Sequence, residues 1–262
     1  MKPRIILFFC LLFSVPVFAK PAVTAKPKAI KQEETKKQEE AKKQEEAKKQ
    51  EEAKFLVPEM IAIPDRDYEM GKFHVTRGQF AEFVNETGYD AGGKCWTHEG
   101  GKWEERSGRN WRNPGFTQGD NHPVVCVNWN DAQAYISWLS RKTGKQYRLP
   151  TEDEWEYACY SGNQTEYCGG NDINAVAWYN ENSGSQTHPS GQKQANDFGL
   201  YDMSGNVLEW MEDCLEEDCG KHARRGGSWL NSQQSMRAAS FGWNDTVRRF
   251  YYLGFRLART LP

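Results

Sequence analysis

One discontinuity limits what this 262-residue chain can become: all ten tryptophans and all eleven tyrosines lie beyond residue 54. The 208 residues from Phe55 onward hold that aromatic surface, and a segment of this length buries enough of it to make one domain with a substantial core. What precedes is of two kinds. Lys2 and Arg4 lead an apolar run, Ile5 to Phe18, that ends at Val17-Phe18-Ala19. A charged start, a short apolar run and a small-residue cleavage pattern predict a secretion signal over residues 1–19. The run is shorter than the roughly 20 residues that span a bilayer, so a processed chain is expected to keep no transmembrane span and to be periplasmic or otherwise exported.

Residues 31–54 read KQEETK followed by three copies of KQEEAK. These are strong helix formers, and Glu33 lies three and four residues before Lys36 and Lys37, spacings that favour opposite charges. One alanine every six residues walks around a helix by about 240° per repeat, so no coiled-coil seam forms. Residues 20–54 therefore predict a charged helical stalk, about 36 Å long over the repeat at 1.5 Å per residue, or a solvated charged linker. Net charge follows these divisions: +2 in residues 1–19, +3 in residues 20–54 and −7 in the remainder, against −2 for the whole chain. An acidic domain argues against a nucleic-acid partner, which calls for a basic face.

Export makes the cysteines legible. Apart from Cys10 in the apolar run there are six, Cys95, Cys126, Cys159, Cys168, Cys214 and Cys219, an even number that predicts three disulfides in an oxidising compartment. Six cysteines allow 15 connectivities. Pairing of chain neighbours suggests Cys95–Cys126, Cys159–Cys168 and Cys214–Cys219, of which the first closes the longest loop and contributes about 3.7 kcal/mol in the loop-entropy model. A zinc site is the rival, and no CxxC pair is present to support it.

Three helix starts are signalled by a capping residue followed three positions later by an amide or carboxylate: Thr76 with Gln79, Asn130 with Gln133, and Thr151 with Glu154. The middle helix carries Ala132, Tyr135, Ile136, Trp138 and Leu139 on a helical period and should stop at Gly144. Short strands such as Gln146 to Leu149 and Tyr252 to Leu257, joined by long loops rich in Gly, Asn and Trp, complete an α+β pattern. The five histidines, His74, His98, His122, His188 and His222, show no metal-binding pair spacing, and most read as solvated loop residues.

Four stretches in order, RLPTEDEWEYAC (148–159), FGLYDMSGNVLEW (198–210), RRGGSW (224–229) and LGFRLAR (253–259), resemble the formylglycine-generating enzyme family, also called sulfatase-modifying factor domains. The resemblance runs from about Met70 to Leu261 and implies a C-type-lectin-like α+β fold for residues 55–262. Residues 55–70 lack the long Gly-rich opening usual in such domains. The Gly205-Asn206 turn lies between Asp202 and Glu209, and hard carboxylate and carbonyl oxygens suit calcium. The resemblance implies structural calcium there, on the side chains of Asp202 and Glu209 and the carbonyls of Gly205 and Val207. Members that oxidise a substrate cysteine hold copper(I) between two cysteines, whose positions here are Asn231 and Met236. Neither is the thiolate that this soft ion prefers. A tryptophan and an asparagine of the family's oxygen pocket correspond to Leu208 and Tyr252, and Ser228 alone of that set is kept. Copper is not expected.

Two functions of different class follow. One is a binding or maturation module of the cell envelope that holds a peptide, protein or glycan in a groove of Ser228, Asn231, Gln233, Gln234, Arg237, Trp243 and Tyr252, with Arg237 as a planar fork for a carboxylate and Trp229 and Trp243 as stacking faces. The other is an oxygen-dependent oxidoreductase acting on a protein or peptide substrate. Missing copper ligands favour the first.

Overall fold

A computed structural model describes residues 35–43, 57–215, 217 and 219–261. The chain divides into two units, residues 1–50 and 51–262. In the first, residues 35–43 are helical and exposed along their whole length, as a Lys/Glu repeat with no apolar stripe must be. The rest of the charged repeat and the proposed signal over 1–19 lie outside the described residues.

The second unit builds its elements where the capping signals place them, with one exception. Helix α1 (Arg77–Thr87) starts on a reciprocal capping box between Thr76 and Gln79 and ends at Gly88 in a left-handed conformation. Helix α2 (Trp129–Thr143) ends at Gly144 and buries Ala132, Tyr135, Ile136, Trp138 and Leu139, the predicted stripe. Its cap, however, is Asn128 and not Asn130. Asn128 Oδ1 accepts from the Asp131 amide at 2.8 Å, and Asp131 Oδ2 accepts from the Asn128 amide at 2.9 Å. Asp131 in turn is held by both Nε and Nη2 of Arg249, at 2.6 and 2.8 Å, a partner 118 residues away that no local reading could supply. Helix α3 (Glu152–Tyr160) uses Thr151 and Glu154 as read, and α4 (Ile173–Val176) is a single turn.

Strands β1 (Met60–Ala62), β2 (Tyr68–Gly71), β10 (Ala258–Thr260) and β5 (Tyr147–Arg148) form one four-stranded sheet in the order β1-β2-β10-β5. The hairpin of β3 (Lys94–Glu99) and β4 (Lys102–Ser107) stands apart as a two-stranded ribbon. The second four-stranded sheet runs β8 (Phe241–Asp245), β7 (Lys221–Arg225), β6 (Leu208–Cys214), β9 (Leu253–Phe255), with β6 and β9 parallel. Of the predicted strand over 252–257 only Leu253–Phe255 is strand, and Arg256 and Leu257 lead from it to β10 in the other sheet. Helices α1 and α2 and the strand β9 enclose the largest cluster of core residues, around Phe80, Tyr135 and Phe255.

The three disulfides are Cys95–Cys126, Cys159–Cys168 and Cys214–Cys219. Each ties a residue of a regular element, Cys95 in β3, Cys159 in α3 and Cys214 in β6, to a following loop cysteine.

Candidate functional site

Two tight turns, one from each of the central motifs, dock against each other. In the first, Gly205 and Asn206 have φ of 87° and 62°. In the second, Gly226 and Gly227 have φ of 92° and 71°. The Gly205 amide donates to the Gly226 carbonyl at 2.8 Å, and the Trp229 amide donates to the Asn206 carbonyl at 2.9 Å. Glycine is needed at Gly205 twice over: positive φ disfavours a side chain, and a Cβ would stand 2.5 Å from the Trp178 carbonyl oxygen. The Asn206 side chain accepts from the His188 amide and donates to the His188 carbonyl, at 3.1 and 3.0 Å, tying a third loop to the pair.

Beneath the first turn lies a buried polar cluster. The Glu209 carboxylate, wholly inaccessible, accepts from Arg256 Nη2 at 3.0 Å on Oε1 and from Trp155 Nε1 at 3.0 Å on Oε2. Arg256 Nε stands 3.2 Å from both oxygens, and His74 Nε2 is 2.9 Å from Oε1. Burial by itself would raise the Glu209 pKa, but the Arg256 guanidinium and then His74 outweigh it and hold the carboxyl at about 2. Asp202, also buried, has Oδ2 on the Gly191 amide at 2.8 Å and Oδ1 without a hydrogen bond. Burial pushes its pKa up, against the pull of His74. His74 and His222 are therefore core residues, 1% and 4% exposed, contrary to the solvated reading of the histidines; His222 stacks on Trp129 with ring centroids 4.0 Å apart.

Beside the second turn is a pocket of about 280 Å³ lined by Leu208, Arg224, Gly227, Asn231, Gln234, Ser235, Ser240 and Phe241. Of the seven residues expected to share a groove, it takes Asn231 and Gln234 into its wall and has Ser228 directly behind, the Ser228 hydroxyl donating to Asn231 Oδ1 at 2.6 Å, whereas Gln233 donates to the Tyr167 hydroxyl at 2.7 Å and is not in the wall. Tyr252 lies near Arg224, and burial raises its phenol pKa. Arg237 is elsewhere, exposed and paired with Glu166 at 2.9 Å. Trp243 sits opposite Ala223 across β7 and β8, so period-2 alternation puts it on the reverse face of the sheet from Arg224, where it packs on a second core cluster. Trp229 is 3% exposed and packs edge-on against Phe116 and Tyr251. Residues the sequence reading passed over are Arg224, Arg256 and His74. The two arginines stand inside the quoted motifs, but nothing local distinguishes them from their neighbours.

The Sulfatase-modifying factor enzyme 1-like domain model matches residues 32–261. The chain belongs to this family. Among curated relatives, the formylglycine-generating enzyme of Mus musculus is 32% identical, aligned over 73% of this chain and 65% of its own length. The inactive C-alpha-formylglycine-generating enzyme 2 of Bos taurus is 33% identical over 47% of this chain and 45% of its own. The chain thus spans about two thirds or less of these relatives. Among solved structures, PvdO from Pseudomonas aeruginosa superposes with a TM-score of 0.65 at 28% identity, covering 78% of this chain and 92% of that one. The fold is α+β and C-type-lectin-like, as the motifs implied.

Membership of the sulfatase-modifying factor family raises two metals. Copper(I) does not fit the residues present: at the two positions the resemblance assigns to thiolates stand Asn231 and the fully buried Met236, and all six cysteines of the described residues are in disulfides. Calcium does not fit Asp202, Gly205, Val207 and Glu209 as they stand. Both oxygens of Glu209 are taken by fixed donors, and the two buried carboxylates already face Arg256 and His74, so a divalent ion would add uncompensated positive charge to a site closed to water. The melting temperature is accordingly expected to be the same in excess calcium and in chelator. A ligand at a hundredfold excess over its dissociation constant would add about 2.7 kcal/mol, so a rise of several degrees with calcium, abolished by Asp202→Ala, would overturn the donor-count argument.

Proposed function

We propose that this protein is an exported, copper-free member of the sulfatase-modifying factor family that acts as a binding or maturation module of the cell envelope, holding a peptide, protein or glycan partner. The observation that carries the reading is chemical. The place where the resemblance puts copper and its oxygen pocket is occupied here by Asn231, Met236 and Leu208, while an open pocket persists beside them. Amides, hydroxyls and a guanidinium recognise a partner without transforming it. A family member in Bos taurus bearing the name inactive accords with this use of the fold. Export is supported by three disulfides, which persist in oxidising compartments, and by the Lys2 to Ala19 pattern.

The 32% identity to the mouse formylglycine-generating enzyme favours the other reading, an oxygen-dependent oxidoreductase, and copper(I) titration separates the two. The purified full chain, titrated in competition with a chromogenic copper(I) chelator, is expected to take up no copper tightly. Tight one-to-one uptake that is lost in Met236→Leu would establish a metal site and the enzyme with it.

A further inference from the structure

Arg224 and Arg225 are neighbours on β7, and alternation sends their side chains to opposite faces. Arg225 is fully employed, with Nε on Glu152 at 2.9 Å and Nη2 on Glu156 at 2.8 Å. Arg224 is not. Its Nε is buried with no hydrogen-bond partner, and among the described residues no carboxylate forms an ion pair with it. It lies flat against Gly242, where an added Cβ would come within 3.2 Å of Nε and Nη2, so the strand opposite leaves room for the guanidinium. Burial depresses its pKa, with only the Tyr252 phenol acting in the other direction. A buried Nε–H without a partner is costly, and this half-buried guanidinium opens onto the 280 Å³ pocket.

The rest of the pocket wall is arranged to donate. Asn231 Oδ1 is occupied by the Ser228 hydroxyl at 2.6 Å, and Gln234 Oε1 by the Ser232 hydroxyl at 3.1 Å. Each amide is left with its NH2 group for a ligand. Among the lining residues there is no Asp or Glu. Leu208, 4% exposed, backs this donor set, while Phe241 pairs with Arg225 and its ring lies on the Arg225 side of the sheet. The wall thus sets a cation beside amide donors with no carboxylate to neutralise it, and a carboxylate ligand satisfies the cation and the amide donors together.

We propose that this pocket recognises a peptide carboxylate, with Arg224 as its counter-charge and Asn231 and Gln234 as neutral donors. The role that sequence alone assigned to Arg237 passes to Arg224. The inference rests on the binding reading and gives it a substrate class. It also places recognition where the resemblance puts the copper position and the oxygen pocket, since Asn231 and Leu208 are shared by both descriptions.

The test follows the Arg224 Nε–H resonance of the 15N-labelled full chain, assigned by its loss in Arg224→Gln. Titration with acetyl-Gly-Glu-amide should shift it saturably, with a dissociation constant on the order of 1 mM for so small a probe. The isosteric acetyl-Gly-Gln-amide should not shift it, and glucuronate should bind more weakly than the glutamate peptide. Arg224→Gln, its folding checked by melting temperature, should weaken the glutamate peptide about tenfold or more, as read from the shifts of the Asn231 and Gln234 amide groups. If that variant does not fold, Asn231→Asp, which sets a carboxylate against Arg224, should produce the same loss. No saturable shift, equal shifts with the two peptides, tighter binding of glucuronate, or unchanged affinity in the variants would each overturn the proposal. A failed titration in a protein that takes up no copper removes the role of Arg224 alone; copper uptake removes the binding reading itself.

Discussion

Replacing Arg256 by Met should lower the stability of the folded domain by about 3–5 kcal/mol, the cost of stripping one partner from a buried ion pair. The size follows from the surroundings of Glu209. Its carboxylate has no access to water, and without Arg256 only Trp155 and His74 remain to face it. The pH dependence has a definite sign. In the parent the Glu209 carboxyl is held at about 2, below its unfolded value of about 4.3. Its contribution is therefore complete above the ordinary carboxylate range and fades as pH falls toward 2. In the variant the carboxyl rises, acid protonates it within the fold, and the deficit relative to the parent should narrow from pH 7 to pH 4. Urea unfolding of both proteins across that range measures it. A deficit under 1 kcal/mol at pH 7, or one that widens on acidification, would show that the cluster is not held by this pair.

Gly205→Ala should cost about 2–5 kcal/mol. Left-handed backbone accounts for roughly 1–2 kcal/mol of that for a residue with a Cβ, and the remainder comes from forcing a methyl into packed backbone, typically about 1–3 kcal/mol. Both causes apply, since φ is 87° and the Cβ would meet the carbonyl oxygen and the amide nitrogen of Trp178 at 2.5 and 2.8 Å. Neither neighbour is a side chain that can swing away. Because the same turn fixes Gly226 and Trp229, the substitution should also broaden the resonances of the Asn231 and Gln234 amides. Gly100→Ala is the control: its φ is 60°, but nothing lies within 4 Å of the added Cβ, so only the conformational part remains. Equal losses at the two glycines would show that the close approach contributes nothing.

Where information was local, the sequence was sufficient. Capping boxes at Thr76 and Thr151, the apolar stripe of α2 and the pairing of neighbouring cysteines are all decided within a few tens of residues, and the structure has them as read. What failed depended on distant partners. The cap at Asn128 is a local exception, since its reciprocal partner Asp131 lies three residues on and was passed over for Asn130 with Gln133. Arg237 read as the ligand-facing arginine, but Glu166, 71 residues away, occupies it, and pairing across β7 and β8 sets Arg224 and Arg225 on opposite faces. Trp243 and Tyr252 are both aromatic and both near the glycine turn in sequence, yet β8 turns the first toward the reverse face. Asp202 and Glu209 both lie buried by the Gly205-Asn206 turn, and the guanidinium that fills the Glu209 carboxylate came from Arg256, 47 residues on.

The sheet β1-β2-β10-β5 has a consequence for the order of events during synthesis. Its second strand begins at Tyr68, and the strand that joins it to β5 is made from Ala258–Thr260, the last few residues of the chain. Loop closure over so long a separation is slow, and domains dominated by non-local pairing fold slowly for this reason. The ribbon β3-β4, closed by a two-residue turn at Gly100-Gly101, can form while the chain is still emerging. The β1-β2-β10-β5 sheet cannot close until Ala258–Thr260 are available, so a chain that stops short of them leaves β2 and β5 without the strand between them.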